Sequence, residues 1–310
     1  MLKKILVATD GSKDAALATR AAIDLSNKTG AELHVVHAWR KTPTPIAPAL
    51  GAAAYSEAYE QEEAEELLEE QVGLIRDAGG SVLEAHLREG RPAEEIAGLA
   101  EELGVDLVVV GSRGVGAVKR LVTGSVSEGV VHLAPGPILV MRGSEEAWPP
   151  GDIVIGDDSS KEARRAGELA AGLGQLFGAS ALLVRAYSLP RARSVSARVA
   201  AVQAADQGLQ KGKESLEKRA GELGNVLGRQ PQISFVAGDA AAVIQKVAEE
   251  GGNPALVAVG SRGLGSVKRT MLGSVSAKIL RAASGPVLIT PRSGGPSPSL
   301  VNPATLLSVA

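Results

Sequence analysis

Two stretches of this chain carry residues whose types and spacing suit the binding of an anion by backbone. In the first, Asp106-Leu-Val-Val-Val110 runs into Gly111-Ser-Arg-Gly114 and, after nine residues, into Gly124-Ser125-Val126-Ser127. In the second, Ala255-Leu-Val-Ala-Val259 runs into Gly260-Ser-Arg-Gly263 and, after the same gap of nine, into Gly273-Ser274-Val275-Ser276. Each reads as a buried strand, a glycine-rich turn and a helix start. Glycine lets the main chain take positive φ and approach a ligand with no Cβ in the way. A helix beginning at Ser125 or Ser274 leaves its first N–H groups unpaired, and such groups suit a phosphate. The hydroxyls of Ser125, Ser127, Ser274 and Ser276 can cap those helices or donate to the same anion.

An ordinary strand-to-helix turn would explain either copy alone, but one spacing built twice argues for one task done twice. Arg113 and Arg262 sit inside the loops, and Lys119-Arg120 and Lys268-Arg269 fall in the gaps. These cations either meet a phosphate or are simply solvated.

Other chemistries fit less well. A Walker-type loop needs two glycines four residues apart followed by Lys-Ser or Lys-Thr, and Gly116 is followed by Ala117. The three close glycines of a dinucleotide fingerprint are missing after the first strand, and Ser125 stands where a nucleophile elbow at Ser127 would need glycine. The chain has no cysteine, which removes disulfides, thiolate metal sites and cysteine nucleophiles together. His34 and His37, three residues apart on one strand, point to opposite faces and make a poor metal pair. A partly buried or surface role is expected for them and for His86 and His132, and no metal ligand is assigned.

The elements that must hold the loops alternate. Ile5 to Ala8 is an apolar strand ending at Asp10-Gly11-Ser12, which opens an Ala-rich helix closed by Gly30. A strand at 33–38, a Pro- and Ala-rich loop at 42–54, and an acidic helix at 57–78 with Leu67, Leu68, Leu74 and Ile75 as its buried stripe follow. A strand at 81–87, a helix at 92–103 opened by Pro92, the glycine loop and a strand at 138–141 complete the half. Alternating strands and helices imply parallel pairing, because a parallel strand needs a crossover. The fold class is therefore α/β, as two tandem doubly wound parallel sheets, with ligands expected at the carboxyl ends of strands where strand order reverses.

Pro149-Pro150-Gly151 is the expected linker between domains at 1–146 and 152–293. From Asp152 the programme repeats, Ile153 answering Ile5 and Gly260 answering Gly111, at offsets of 148 and 149. The middle of the second half is looser: Arg191, Arg193 and Arg198 make it more basic, and Gly208, Gly212, Gly221 and Gly224 should each weaken its helix by about 1 kcal/mol relative to alanine. Residues 294–310, rich in Pro and Ser, are expected to be a mobile tail.

With 310 residues, 45% hydrophobic content and a formal charge of −2, the chain is of ordinary globular composition for two domains. That charge gives no global reason to bind nucleic acid or an acidic membrane. The lysines at 3 and 4 precede an apolar run that meets Asp10 too soon for a signal peptide, and no apolar segment approaches the ~20 residues that span a bilayer. A cytoplasmic location is expected.

The spacing Gly, two residues, Gly, nine residues, Gly-Ser, with Asp10 after the first strand, resembles the nucleotide-binding signature of the universal stress protein family in its ATP-binding, UspA-type branch. The resemblance covers nearly the whole chain as two tandem Rossmann-like domains. It implies one ATP, with Mg²⁺, in each. The carboxylates of Asp10 and Asp158 would accept from ribose hydroxyls, the backbone at Ala38 and Ala186 would meet adenine, and the glycine loops would hold the phosphates. A plainer role for Asp10 and Asp158, capping the helices that follow, stays open, and Asp157 adds a negative charge beside Asp158.

The resemblance further implies an internal pseudo-dimer with Ile138 to Met141 and Val287 to Thr290 at the contact; a homodimer of whole chains stays open. The expected function is that of a nucleotide-dependent regulatory, stress-response protein. The alternatives are a slow ATP hydrolase on the same fold and an interaction module that binds no nucleotide. For hydrolysis no histidine, glutamate or arginine occupies a position that would orient a nucleophile.

Overall fold

A computed structural model describes residues 2–41, 52–114, 124–187, 195–250, 253–262 and 272–291. The chain divides into two compact units, Met1–Trp148 and Pro149–Thr290.

The first unit runs β1 (Lys4–Ala8), α1 (Lys13–Thr29), β2 (Glu32–Trp39), α2 (Ala52–Asp77), β3 (Val82–Glu89), α3 (Pro92–Leu103), β4 (Leu107–Gly111), α4 (Ser125–Leu133) and β5 (Ile138–Met141). Its strands lie in the order β3-β2-β1-β4-β5, and every pairing is parallel. The order reverses between β1 and β4, where Ala8 pairs with Val110. Asp10 and the first glycine loop leave the sheet side by side there. Ile5, Leu6 and Val7 of β1 and Ile138, Leu139 and Val140 of β5 are fully buried, as strands covered on both faces must be.

Local signals fix the helix that matters most to this crevice. Ser12 caps α1, its side chain accepting from the Ala15 N–H, and Gly30 closes it in the left-handed conformation at φ 72°. Alanines at 15, 18, 21 and 22 let α1 lie close on the sheet, and all are buried. The approach is tightest at Gly111, where a Cβ would come within 2.6 Å of the Ala15 nitrogen.

In α2 the buried stripe is Ala64, Leu68, Val72 and Ile75, whereas Leu74 is 53% exposed. The expected stripe was one residue out of phase at Leu74, because adjacent positions differ by 100° around a helix and only Ile75 continues the i, i+4, i+7 face. The helix starts at Ala52, inside the segment read as loop; residues 42–51 lie outside those described.

The second unit repeats the plan: β6 (Asp152–Gly156), α5 (Lys161–Phe177), β7 (Ser180–Tyr187), α6 (Val195–Leu227), β8 (Gln232–Ala237), α7 (Ala240–Glu249), β9 (Leu256–Gly260), α8 (Ser274–Ala282) and β10 (Val287–Thr290). Its order is β10-β9-β6-β7-β8, again parallel throughout. Ser160 caps α5 as Ser12 caps α1, and Gly178 closes it.

The four glycines expected to weaken α6 do not break it; the helix runs 33 residues through all of them. Tertiary packing outweighs propensity where the small residue admits a neighbour. A Cβ at Gly212 would sit 3.1 Å from the Phe235 ring of β8. Arg191, Arg193 and the 294–310 segment lie outside the described residues, as does the side chain of Arg198.

Candidate functional site

A cavity opens at the strand-order reversal of each unit. The first, about 500 Å³, is lined by Asp10, Ala38, Gly111, Arg113, Gly114, Gly124, Ser125, Val126 and Ser127, all nine of the residues singled out in that half. The second, about 430 Å³, is lined by Asp158, Ala186, Gly260, Arg262, Gly273, Ser274, Val275 and Ser276. Gly263 and both basic pairs lie outside the described residues. Volumes of this size fall in the range of roughly 300–1,000 Å³ usual for small-molecule sites.

The glycines serve space and not unusual dihedrals. Gly124 and Gly273 precede their helices in extended conformation, at φ −63° in both. Gly111, Gly114 and Gly260 are also absent from the positive-φ set. The expectation of positive φ is therefore corrected: a Cβ at Gly260 would come within 2.6 Å of the Ala163 nitrogen, and one at Gly124 or Gly273 within 3.1 Å of the carbonyl of Ser112 or Ser261. At Gly114 a Cβ would run into the Asp10 carboxylate. The glycines let three backbone segments converge at each cavity wall.

The serine hydroxyls divide. Ser127 is buried, its Oγ 2.9 Å from the Ser112 carbonyl and 3.0 Å from that of Gly124; Ser276 donates to the Gly260 carbonyl at 2.6 Å. Both hydroxyls tie the loop together and neither caps a helix. The N–H groups of Ser125 to Ser127 and Ser274 to Ser276 precede the first bonds within their helices, made by Glu128 to Gly124 and by Ala277 to Gly273. Such a group of leading amides attracts an anion.

Asp10 and Asp158 do not cap the helices that follow. That role belongs to Ser12 and Ser160, whose own N–H groups donate to Asp10 Oδ1 at 3.1 Å and Asp158 Oδ1 at 2.9 Å. The bond fixes each carboxylate at the cavity rim. Arg113 lines the first cavity with its Nε 3.4 Å from Asp14 Oδ2, and the same carboxylate accepts from the Ser112 hydroxyl at 2.6 Å. Arg142, buried nearby, has its basicity lowered by burial and by the adjacent Arg113 charge, with Asp14 opposing.

The two cavities differ in their floors. In the first, the Thr9 hydroxyl donates to Gln71 Oε1 at 3.0 Å, and His37 Nδ1 lies 2.8 Å from the Thr9 carbonyl, so that nitrogen carries the proton. In the second, the corresponding positions hold Asp157 and Arg185. They form a buried ion pair, the Arg185 Nε donating to Asp157 Oδ2 at 3.0 Å and its Nη1 to the Gly212 carbonyl of α6 at 3.0 Å. The extra negative charge beside Asp158 is thus paired by Arg185.

The first cavity also takes walls from Thr9, His37, Pro92 and Ile96, and the second from Asp157, Ala240 and Ile244. Sequence reading did not place these. Pro92 was visible only as a helix start, and nothing local shows that the helix after an edge strand returns over the crevice. Among the histidines, His34 and His86 meet across β2 and β3 with 3.2 Å between ring nitrogens, a pairing that comparison within one strand could not show.

A doubly wound α/β unit with a cradle of helix-start amides, a fixed carboxylate and a cavity at the order reversal, occurring twice, is what the fold and site define. The chain belongs to the universal stress protein family, whose pattern matches residues 1–142 and again 151–291. It is 34% identical over 148 residues to Universal stress protein YxiE of Bacillus subtilis, covering 46% of this chain and 100% of that protein. To a universal stress protein of Thermus aquaticus it is 40% identical over 144 residues, with the same 46% and 100% coverage. Among solved structures, a universal stress protein from Archaeoglobus fulgidus matches with TM-score 0.63 at 23% identity, over 94% of this chain and 98% of that one, a likeness of fold. No helix of the described residues is long and apolar enough to cross a membrane.

Proposed function

We propose that each unit, acting as a domain (1–146 and 152–293), binds one ATP at its cavity, and that the occupied protein is the regulatory state of a cytoplasmic stress-response protein. One observation carries this reading. In both units the leading amides of α4 or α8, a carboxylate held at the rim and the β2 or β7 backbone line one cavity. The amides take the phosphates, Asp10 and Asp158 accept from the ribose hydroxyls, and Ala38 and Ala186 offer backbone to adenine. Apolar side chains, Ile96 and Val126 in one and Ile244 and Val275 in the other, flank the base.

Mg²⁺ would arrive on the triphosphate, which with water supplies the oxygen ligands this ion prefers. Ligand at a hundred times its dissociation constant stabilises the bound form by about 2.7 kcal/mol, enough to reset a modest conformational equilibrium. The internal pseudo-dimer belongs to the same proposal, and the two family matches in one chain support it.

The test is to denature purified protein, identify released nucleotide by chromatography, then add ATP with Mg²⁺ to the stripped protein and follow both binding and loss of ATP. About two equivalents bound and recovered intact are expected. Sustained release of ADP would make the protein a hydrolase, and no binding at either cavity would leave an interaction module.

A further inference from the structure

We propose that His34, Glu84 and His86 form a binding site for a divalent transition metal such as Zn²⁺, on the β2–β3 edge of the first unit and separate from the nucleotide cavity. The register places them. His34 of β2 pairs with Glu84 of β3, and Val36 with His86. Positions 84 and 86 share one face of the strand by the two-residue period, and His34 faces Glu84 across the pair. One nitrogen from each histidine and one carboxylate oxygen lie within 4.8 Å of one another.

The spacing suits a metal. His34 Nδ1 and His86 Nε2 are 3.2 Å apart, and two ligands on the corners of a tetrahedron with zinc–nitrogen bonds of about 2.0–2.1 Å stand about 3.3 Å apart. Glu84 Oε2 is 3.8 Å from His86 Nε2 and closes in by rotating an exposed side chain. Two histidines and a glutamate are a set that holds zinc and leaves a fourth position open.

Burial lowers the basicity of both histidines, against the opposing pull of Glu84. That direction favours the neutral imidazole, the form that ligates. Lys4 and Arg88 act in the same direction, while Glu32 and Glu102 act against it. Arg88 is itself paired with Glu102.

Without a metal the two rings share one N–H···N bond. Metal binding replaces that bond, turns both lone pairs toward the ion and requires the His34 proton to stand on Nε2. That nitrogen is buried and has no hydrogen-bond partner, so His34 lacks the outer acceptor that supports most metal-bound histidines. Its lack lowers affinity by about 10–100-fold.

The second unit provides an internal control. The corresponding positions hold Leu182, Gln232 and Ser234, with Leu182 paired to Gln232 as His34 is to Glu84. Among the described residues a metal site of this kind occurs in the first unit only, so one equivalent is expected.

The experiment titrates Zn²⁺, and separately Co²⁺, into chelator-treated, nucleotide-free full-length protein by calorimetry and visible absorption. One equivalent is expected, with the absorption of low-symmetry Co²⁺. His86→Gln should weaken binding by more than the ~10–100-fold that loss of an outer partner costs. Glu84→Gln, at an exposed position that leaves the fold intact, should weaken it less but measurably. Absence of Zn²⁺ binding in the wild-type protein, or binding unchanged in both variants, overturns the proposal. ATP stoichiometry of Glu84→Gln is measured in parallel; because Glu84 is not on the nucleotide cavity, it should be unaltered, which separates failure here from failure of the nucleotide reading.

Discussion

The Ser12 hydroxyl donates to the Arg113 carbonyl at 3.1 Å while accepting from the Ala15 N–H at 3.3 Å. Ser160 does the same in the second unit, with Arg262 at 3.4 Å and Ala163 at 3.1 Å. One side chain thus starts a helix and holds the glycine loop against it. Ser12→Ala should cost about 1 kcal/mol of stability through the lost cap and should also weaken ATP at the first site. Urea denaturation and calorimetry of the single variant check both effects; a stability loss with unchanged ATP affinity would confine Ser12 to capping.

Gly114→Ala should separate ligand binding from folding. The new Cβ meets the end of a side chain, Asp10, and not the backbone, so the carboxylate can swing away and the fold survives. Losing a hydrogen bond to a charged group costs about 1.5–3 kcal/mol, so ATP at the first site should bind about 10–100-fold more weakly, with little change in melting temperature.

Gly124→Val and Gly273→Val should each remove about one equivalent of ATP, because a Cβ there already crowds the Ser112 or Ser261 carbonyl at 3.1 Å and the branched side chain would displace the helix start. Calorimetric stoichiometry of the single and double variants is the measurement. Two equivalents retained in the double variant would contradict the assignment.

Among the described residues Ser159 is the one non-glycine residue at positive φ, 68°, where the first unit has Gly11 at 73°. A side chain in that region costs about 1–2 kcal/mol. Ser159→Gly should therefore stabilise the second unit by about 1 kcal/mol in chemical denaturation, less any gain in unfolded-chain entropy, without loss of ATP.

Arg185→Met should destabilise by about 3–5 kcal/mol, because it leaves Asp157 buried without its counter-charge. Adding Asp157→Thr should recover most of the loss. A double-variant cycle in urea reads the coupling, and additive effects would show that the pair does not act as a unit.

The strands were legible because a sheet covered on both faces demands unbroken apolar runs, as at Ile5 to Ala8 and Ile138 to Met141. The loop residues were legible because duplication repeated their spacing. What was hidden depends on two kinds of information that a linear reading lacks. One is rotational phase, which put Leu74 outside and Ile75 inside. The other is what lies across a gap of many residues: the Thr9–Gln71 bond, the Pro92 and Ile96 wall, and the His34–His86 pair. Glycine misled for a related reason, since the residue type does not say whether dihedral freedom or room is needed. Gly11 uses the first and Gly111 the second.

The paired charge at the second cavity also constrains how the halves can change. Thr9 and His37 on one side, Asp157 and Arg185 on the other, are matched pairs at corresponding positions. Gene conversion that copied β1 from one repeat into the other without its β2 would strand an uncompensated aspartate or arginine in the interior. Piecemeal homogenisation of the duplicated segments therefore carries a cost in stability of about 3–5 kcal/mol, which favours separate divergence of the two repeats.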